Sequence, residues 1–126
     1  VRKKVILPDD QQMLQDEMIA MCNDDIQLIL TTGGTGFSKR DVTPEATLAV
    51  SGRVAPGIAE AIRAGSMAIT KRAMLSRAVS AIRHRTLIIN LPGSPKAVEE
   101  SLGFVLDTLP HALGLLRGTD GECGRS

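Results

Sequence analysis

Residues Leu28 to Leu48 read LILTTGGTGFSKRDVTPEATL, and the order of features inside this stretch decides the fold. Leu28, Ile29 and Leu30 are consecutive apolar residues followed by the β-branched pair Thr31 and Thr32, the pattern of a buried strand. Its C-terminal end delivers the chain into Gly33, Gly34, Thr35 and Gly36. A glycine-rich turn takes positive φ, lets a ligand approach the backbone and turns successive N–H groups into a concavity suited to phosphate oxygens. Thr43, Pro44 and Glu45 then read as a helix start, with Thr43 as N-cap, Pro44 at the first helical position and Glu45 in the first turn. The polar segment Ser38 to Asp41 is held between these two ends.

Working outward, residues 87 to 94 repeat the same logic. Thr86 to Leu91 is a central, fully buried strand; Pro92 and Gly93 leave it, Ser94 can cap, and Pro95 starts a helix. On a parallel sheet both loops lie at one edge, because the C-terminal ends of the strands point the same way. Upstream, Val5 to Leu7 reads as a short strand stopped by Pro8, with Asp9 or Asp10 capping a helix from about Asp10 to Met21 whose buried stripe is Leu14, Met18, Met21 and Cys22. Strand, helix and strand then form a right-handed βαβ unit. Downstream of Pro44 to Val50, Pro56 and Gly57 open a helix with Ile58, Ala61, Ile62 and Met67 on one side. Ile69 and Thr70 read as extended, and Val79 to Ile82 is a strand joined to the central one through Arg83, His84 and Arg85. A helix from Pro95 to about Leu106 buries Val98, Leu102, Val105 and Leu106, and a last helix runs from Leu109 to Leu116.

The expected architecture is α/β, a three-layer, mostly parallel sheet with helices on both faces, in one domain over residues 1–117 followed by a disordered tail over 118–126. With 126 residues, 43% of them hydrophobic, the chain is long enough for one real core. A net charge of +1 carries no electrostatic footprint for nucleic acid or membrane, and the absence of Trp and Tyr removes the stacking platforms of single-strand binders. No apolar run reaches membrane-spanning length and no signal-peptide pattern opens the sequence, so the cytoplasm is the expected location. Cys22 and Cys123 lack metal-ligand spacing and read as reduced thiols. His84 and His111 have no carboxylate or nucleophile at telling spacing.

TTGGTGF followed by RDVTPEAT, with MLSR at 74–77, LIINLPGS at 87–94 and LPHA at 109–112, resembles the signature of the molybdopterin adenylyltransferase family. That family includes bacterial MogA and MoaB and the G domain of gephyrin, and the resemblance runs from about Val5 to Arg117. It implies the molybdopterin-binding fold, molybdopterin and ATP as substrates, and transfer of AMP to the pterin's terminal phosphate with release of pyrophosphate. It further implies Asp41, in the RDVTP string, and Asp9, after the first strand, as catalytic carboxylates holding Mg²⁺. The substrate-binding residues would be Gly33, Gly34, Thr35, Gly36, Thr43, Ser76, Pro92, Gly93 and Ser94. Also implied are a homotrimer, for which the small and apolar residues from Ala59 to Met67 and Ala73 to Leu75 offer a surface, and hand-over of product to a molybdenum insertase. The resemblance equally admits a pterin-binding or scaffold protein without turnover; retention of both carboxylates beside an intact GGTG favours the enzyme. Family members carry a strand and a serine-rich, acidic loop upstream of the strand matching Val5 to Leu7. This sequence begins after that point: if it were complete, the sheet would lack a strand expected near its middle and the cleft one wall, and a truncated sequence is the simpler expectation.

Overall fold

The computed structural model describes residues 3–118. In chain order the elements are α1 (Gln11–Asn23), β1 (Leu28–Thr32), α2 (Thr43–Val50), β2 (Arg53–Val54), α3 (Pro56–Met67), a 3₁₀ helix (Lys71–Leu75), β3 (Ser80–Arg83), β4 (Thr86–Leu91), α4 (Pro95–Gly103) and α5 (Leu109–Arg117). The strands form one four-stranded sheet in the order β1-β4-β3-β2.

All six residues of β4 are buried, and its period of two sorts them into two cores. Leu87, Ile89 and Leu91 pack with Ile62 of α3, Val105 and Leu109, supported by Val98 and Leu102 of α4 and Leu113 of α5. Ile88 faces the other way, onto Met18 of α1, Ile29, and Ala46 and Val50 of α2. Helices therefore cover both faces of the sheet, giving the expected three layers. No helix among the described residues is long and apolar enough to cross a membrane.

Local chemistry explains the helix ends. Asp10 caps α1, its Oδ1 accepting from Met13 N at 2.9 Å, and Asp25 takes the left-handed conformation at φ 60° where the chain turns toward β1. Ser94 caps α4, its Oγ accepting from Ala97 N at 3.2 Å. Gly118, left-handed at φ 75°, closes α5.

Several expectations are corrected. Val5 to Leu7 is not a strand: among the described residues nothing pairs with it, and Ile6 is 88% exposed. The βαβ unit expected from that strand is accordingly absent there. The sheet is mixed rather than mostly parallel: β1 and β4 are parallel, but β3 pairs antiparallel with β4, and β2 with β3. The two-residue connection His84–Arg85 between paired Arg83 and Thr86 leaves no room for a crossover, and His84 at φ 54° makes that turn. Thr43 is not an N-cap; Val42 holds that position without a side-chain bond. Thr70 is extended only as the cap of the 3₁₀ helix, and Ile69 lies in a turn. The helix α4 stops at Gly103, which turns Leu106 outward to 57% exposure while Val105 stays buried. Ala61 and Met67 are exposed, the buried stripe of α3 being Ala59 and Ile62. Apart from Gly118, the tail expected over 118–126 lies outside the described residues, as does Cys123; Cys22 is a free thiol.

Asn90, inside β4 and on the face turned to the α1–α2 core, is fully buried. Its Nδ2 donates to Thr31 Oγ1 of β1 and to Thr47 Oγ1 of α2, both at 3.0 Å, while Oδ1 accepts from Val79 N at 3.1 Å. Asn90→Ala leaves those partners unmet and opens a small cavity, and is expected to destabilise the fold by about 2–4 kcal/mol. Chemical denaturation should show this as a lower midpoint with an unchanged slope; a loss under about 0.5 kcal/mol would mean the network contributes nothing net.

Candidate functional site

The parallel register Thr32↔Leu91 sets the C-terminal ends of β1 and β4 side by side, so the two glycine loops meet. A Cβ built on Gly33 would lie 3.8 Å from Gly93 Cα, an ordinary contact distance. What requires glycine at position 33 is its φ of 84°. Gly33 N–H donates to Leu91 O at 3.0 Å, which extends the ladder by one step and removes that amide from the set the sequence offers to phosphate. Among the described residues no acceptor takes the N–H groups of Gly34, Thr35 and Gly36, nor those of Gly93 and Ser94.

Gly34, at φ 70°, is pressed against the start of α2: its carbonyl accepts from Thr43 N at 3.2 Å, and a Cβ there would run into Thr43 Oγ1. Thr43 is buried and serves as the seam between loop and helix. Gly36 has no left-handed φ, but a Cβ on it would stand 2.9 Å from Asp41 Oδ2. Its bare Cα gives the carboxylate room. That carboxylate is fixed locally, Oδ2 accepting from Ser38 N at 3.0 Å while Asp41 N donates to Ser38 O at 2.9 Å. Asp41 is half-buried; Phe37, Lys39 and Arg40 around it are exposed. Three free amides and one carboxylate thus share a short loop at the C-terminal edge of the sheet.

The other expected residues fall as follows. Asp9 is exposed just ahead of α1, whose cap is Asp10, so capping does not explain Asp9. The helix α1 folds back on β1 through the short turn 24–27, so its N-terminal end, which Asp9 precedes, runs toward the C-terminal end of β1. Pro92 is half-buried, Gly93 and Ser94 are exposed, and Ser94 Oγ is engaged as the α4 cap. Ser76 Oγ accepts from Ala78 N at 3.2 Å, and its carbonyl accepts from Arg63 Nε at 3.1 Å.

The residue missed by sequence reasoning is Arg77. Its guanidinium donates from Nε to Gly36 O at 2.6 Å and from Nη2 to Asp41 O at 2.6 Å, and its Nη1 meets Glu45 Oε2 at 2.5 Å. Its backbone N–H donates to Thr35 O at 2.7 Å. The hydrogen bond from Arg77, aided by the charge attraction, holds the Glu45 carboxyl below its ordinary value, and the same bond raises Arg77 further. The MLSR string was the available signal, but nothing local in it shows that its arginine reaches residues more than thirty positions away.

Residues 1–111 match the family model described as "Probable molybdopterin binding domain", and the chain belongs to that family. The chain is 49% identical over 111 residues to gephyrin of Dictyostelium discoideum, covering 88% of this chain and 16% of that protein. It is 40% identical over 114 residues to the molybdopterin adenylyltransferase of Helicobacter pylori, covering 90% of this chain and 65% of that one. The chain therefore spans about a sixth of the first relative and just under two thirds of the second. Among solved structures it resembles the molybdopterin biosynthesis enzyme MoaB from Thermus thermophilus, with TM-score 0.82 and 48% identity over 88% of this chain and 70% of that one. It also resembles the Mog protein from Mycobacterium ulcerans, with TM-score 0.80 and 39% identity over 83% and 69% of the two chains.

The Glu45–Arg77 pair has a defined pH signature. With the folded carboxyl lowered from 4.5, the pair stabilises the fold above that value, and the contribution is lost as pH falls through the lower folded value, Arg77 staying charged throughout. The side chain of Glu45 is 46% exposed, so solvent screening keeps the effect small. The stability difference between the parent and Glu45→Gln should be constant above about pH 5 and shrink at more acid pH. A difference that grows on acidification would contradict the assignment.

Proposed function

We propose that this domain acts in molybdenum cofactor biosynthesis, transferring AMP from ATP to the terminal phosphate of molybdopterin and releasing pyrophosphate. The observation that carries this reading is the set of free amides at Gly34, Thr35 and Gly36 beside the Asp41 carboxylate, facing a second loop with free amides at Gly93 and Ser94. In the reaction a phosphate oxygen of molybdopterin forms a bond to the α-phosphorus of ATP. The bond from that phosphorus to the bridging oxygen breaks, and its electron pair leaves with pyrophosphate. A phosphate monoester with a second pKa of about 6 arrives largely deprotonated, so the site needs alignment and charge compensation rather than a base.

In this reading the loop amides receive phosphate oxygens, Thr43 and Pro92 shape the walls, and Ser76 contacts substrate. Asp41, with Asp9, would hold Mg²⁺. The donor set fits that ion: magnesium is held by one or two carboxylates together with substrate phosphates and water, and Asp41 offers a half-buried carboxylate beside the free amides of the loop. When bound it neutralises triphosphate charge. The likeness to the adenylyltransferases supports the reaction class, and the same reading has the protein in the cytoplasm, passing its product to a molybdenum insertase.

The deciding assay mixes the protein with molybdopterin, ATP and Mg²⁺ and measures pyrophosphate. Asp41→Ala should abolish release while leaving molybdopterin binding largely intact; turnover near the parent's would remove Asp41 from the mechanism. Pterin binding by the parent without pyrophosphate would favour the alternative, a binding or scaffold protein of the same fold.

The reading includes a homotrimer. Ala59 and Ile62 are buried in the chain's own core, which narrows the large apolar side chains of the expected surface to Met67, Met74 and Leu75, between 38% and 57% exposed, with Ile69 exposed between them. A closed cyclic trimer would cover them. Sedimentation at low micromolar concentration is expected to give a single trimeric species, and a single species of monomer mass would refute it.

A further inference from the structure

Two arginines, placed on different segments, grip backbone carbonyls in series. Arg63 of α3 donates from Nε to Ser76 O at 3.1 Å and from Nη2 to Ala78 O at 2.6 Å, the carbonyls on either side of residue 77. Arg77 in turn reaches the carbonyls of Gly36 and Asp41, both at 2.6 Å, while its backbone N–H meets Thr35 O. The chain between Gly36 and Asp41 makes only short-range bonds of its own, all through Ser38. Those local bonds shape the turn. They do not tie it to the body of the protein.

A guanidinium is a planar fork, so two carbonyls bound to its Nε and Nη2 are held at a separation the fork dictates. Gly36 and Asp41 bracket the loop, and Asp41 carries the carboxylate. We propose that Arg77 is the positioning residue of this loop: its fork fixes the Gly36 and Asp41 carbonyls, and with them the free amides of Gly34 to Gly36 and the Asp41 carboxylate, in one arrangement toward a phosphate ligand, with Arg63 anchoring the fork to α3. Arg77 acts through the loop and not on the substrate. Glu45 takes the remaining Nη1 and so compensates the cation, which leaves the loop without a net charge contribution from the clamp. The effect on turnover rests on the adenylyl-transfer reading; the effect on the loop does not.

The test reads amide hydrogen exchange at Ser38, Asp41 and Thr43, whose N–H groups are bonded within the loop or to it. In Arg77→Ala these amides should exchange roughly tenfold faster or more, while those of β4 and α1 stay within about twofold of the parent. Arg77→Lys should loosen the loop nearly as much although it keeps the charge, because an ammonium on a flexible stem does not reproduce the fork. Glu45→Gln should leave the loop close to the parent, since both carbonyl bonds remain. In turnover, Arg77→Ala should lower kcat by roughly 10- to 100-fold with KM for molybdopterin changed less than about threefold, and added guanidinium ion should restore part of the rate. Unchanged exchange at the three amides in Arg77→Ala, or full rigidity and rate in Arg77→Lys, would overturn the proposal. Should the parent release no pyrophosphate while Arg77→Ala still loosens the loop, the adenylyl-transfer reading falls and the positioning role stands.

Discussion

A carboxamide buried in an aliphatic strand must have its donors and acceptor met, because leaving them bare costs more than most single contacts return. Asn90 is that group. Its partners are a threonine on the neighbouring parallel strand, a threonine on the helix above and the backbone just before the antiparallel neighbour. This arrangement exists in one register only. Slipping β1 by a residue against β4 would move Thr31 to the opposite face, and in the direction that brings Leu30 beside Asn90 it would leave the carboxamide facing an aliphatic side chain. The same register decides where the strands end, and hence that Gly33 lies against Gly93. A buried polar contact in the middle of the sheet thus sets the geometry of two loops at its edge.

At that edge the charge pattern constrains what is bound. Free amides attract a phosphate, but the Asp41 carboxylate beside them repels one. The two coexist usefully when a cation stands between carboxylate and phosphate, the arrangement by which magnesium joins one or two protein carboxylates to a nucleotide. Arg77 is not that cation, for its three guanidinium nitrogens are occupied by two carbonyls and Glu45. On the proposed reading, a phosphate that arrives with a metal ion would suit this loop, with the exposed Lys39 and Arg40 beside Asp41 as further positive charge.

How far this was legible beforehand depends on whether a signal is local. The β1 and β4 strands, the α1 helix with its Met18 stripe, and the two loops beginning at Gly33 and Pro92 all follow from short-range pattern and agree with the structure. The Val5 to Leu7 run has strand-like composition, but a strand is defined by its partner, and Ile6 has none among the described residues. The antiparallel arm was within reach, since the strand-like runs Val79 to Ile82 and Thr86 to Leu91 are separated by only three residues, too few for a parallel crossover. The two-residue β2 is too short to leave a periodic trace. Thr43 has a good capping residue's chemistry, yet its hydroxyl lies against Gly34, a contact fixed by tertiary structure. Arg77 was hidden for the same reason.

The three glycines of the GGTG string show why such a motif is informative only with its sequel. Gly33 is required by its backbone angle, and its amide belongs to the sheet. Gly34 is required both by its angle and by Thr43, nine residues on, which occupies the space a Cβ would take. Gly36 has no left-handed angle; it makes way for the carboxylate of Asp41, five residues on. Two of the three glycines are thus matched to particular later residues, and the spacing from Gly34 to Thr43 and from Gly36 to Asp41 is what converts a flexible turn into a loop carrying three free amides and one carboxylate. A GGTG followed by other residues at those two spacings would have the conformational freedom of this loop without its chemistry.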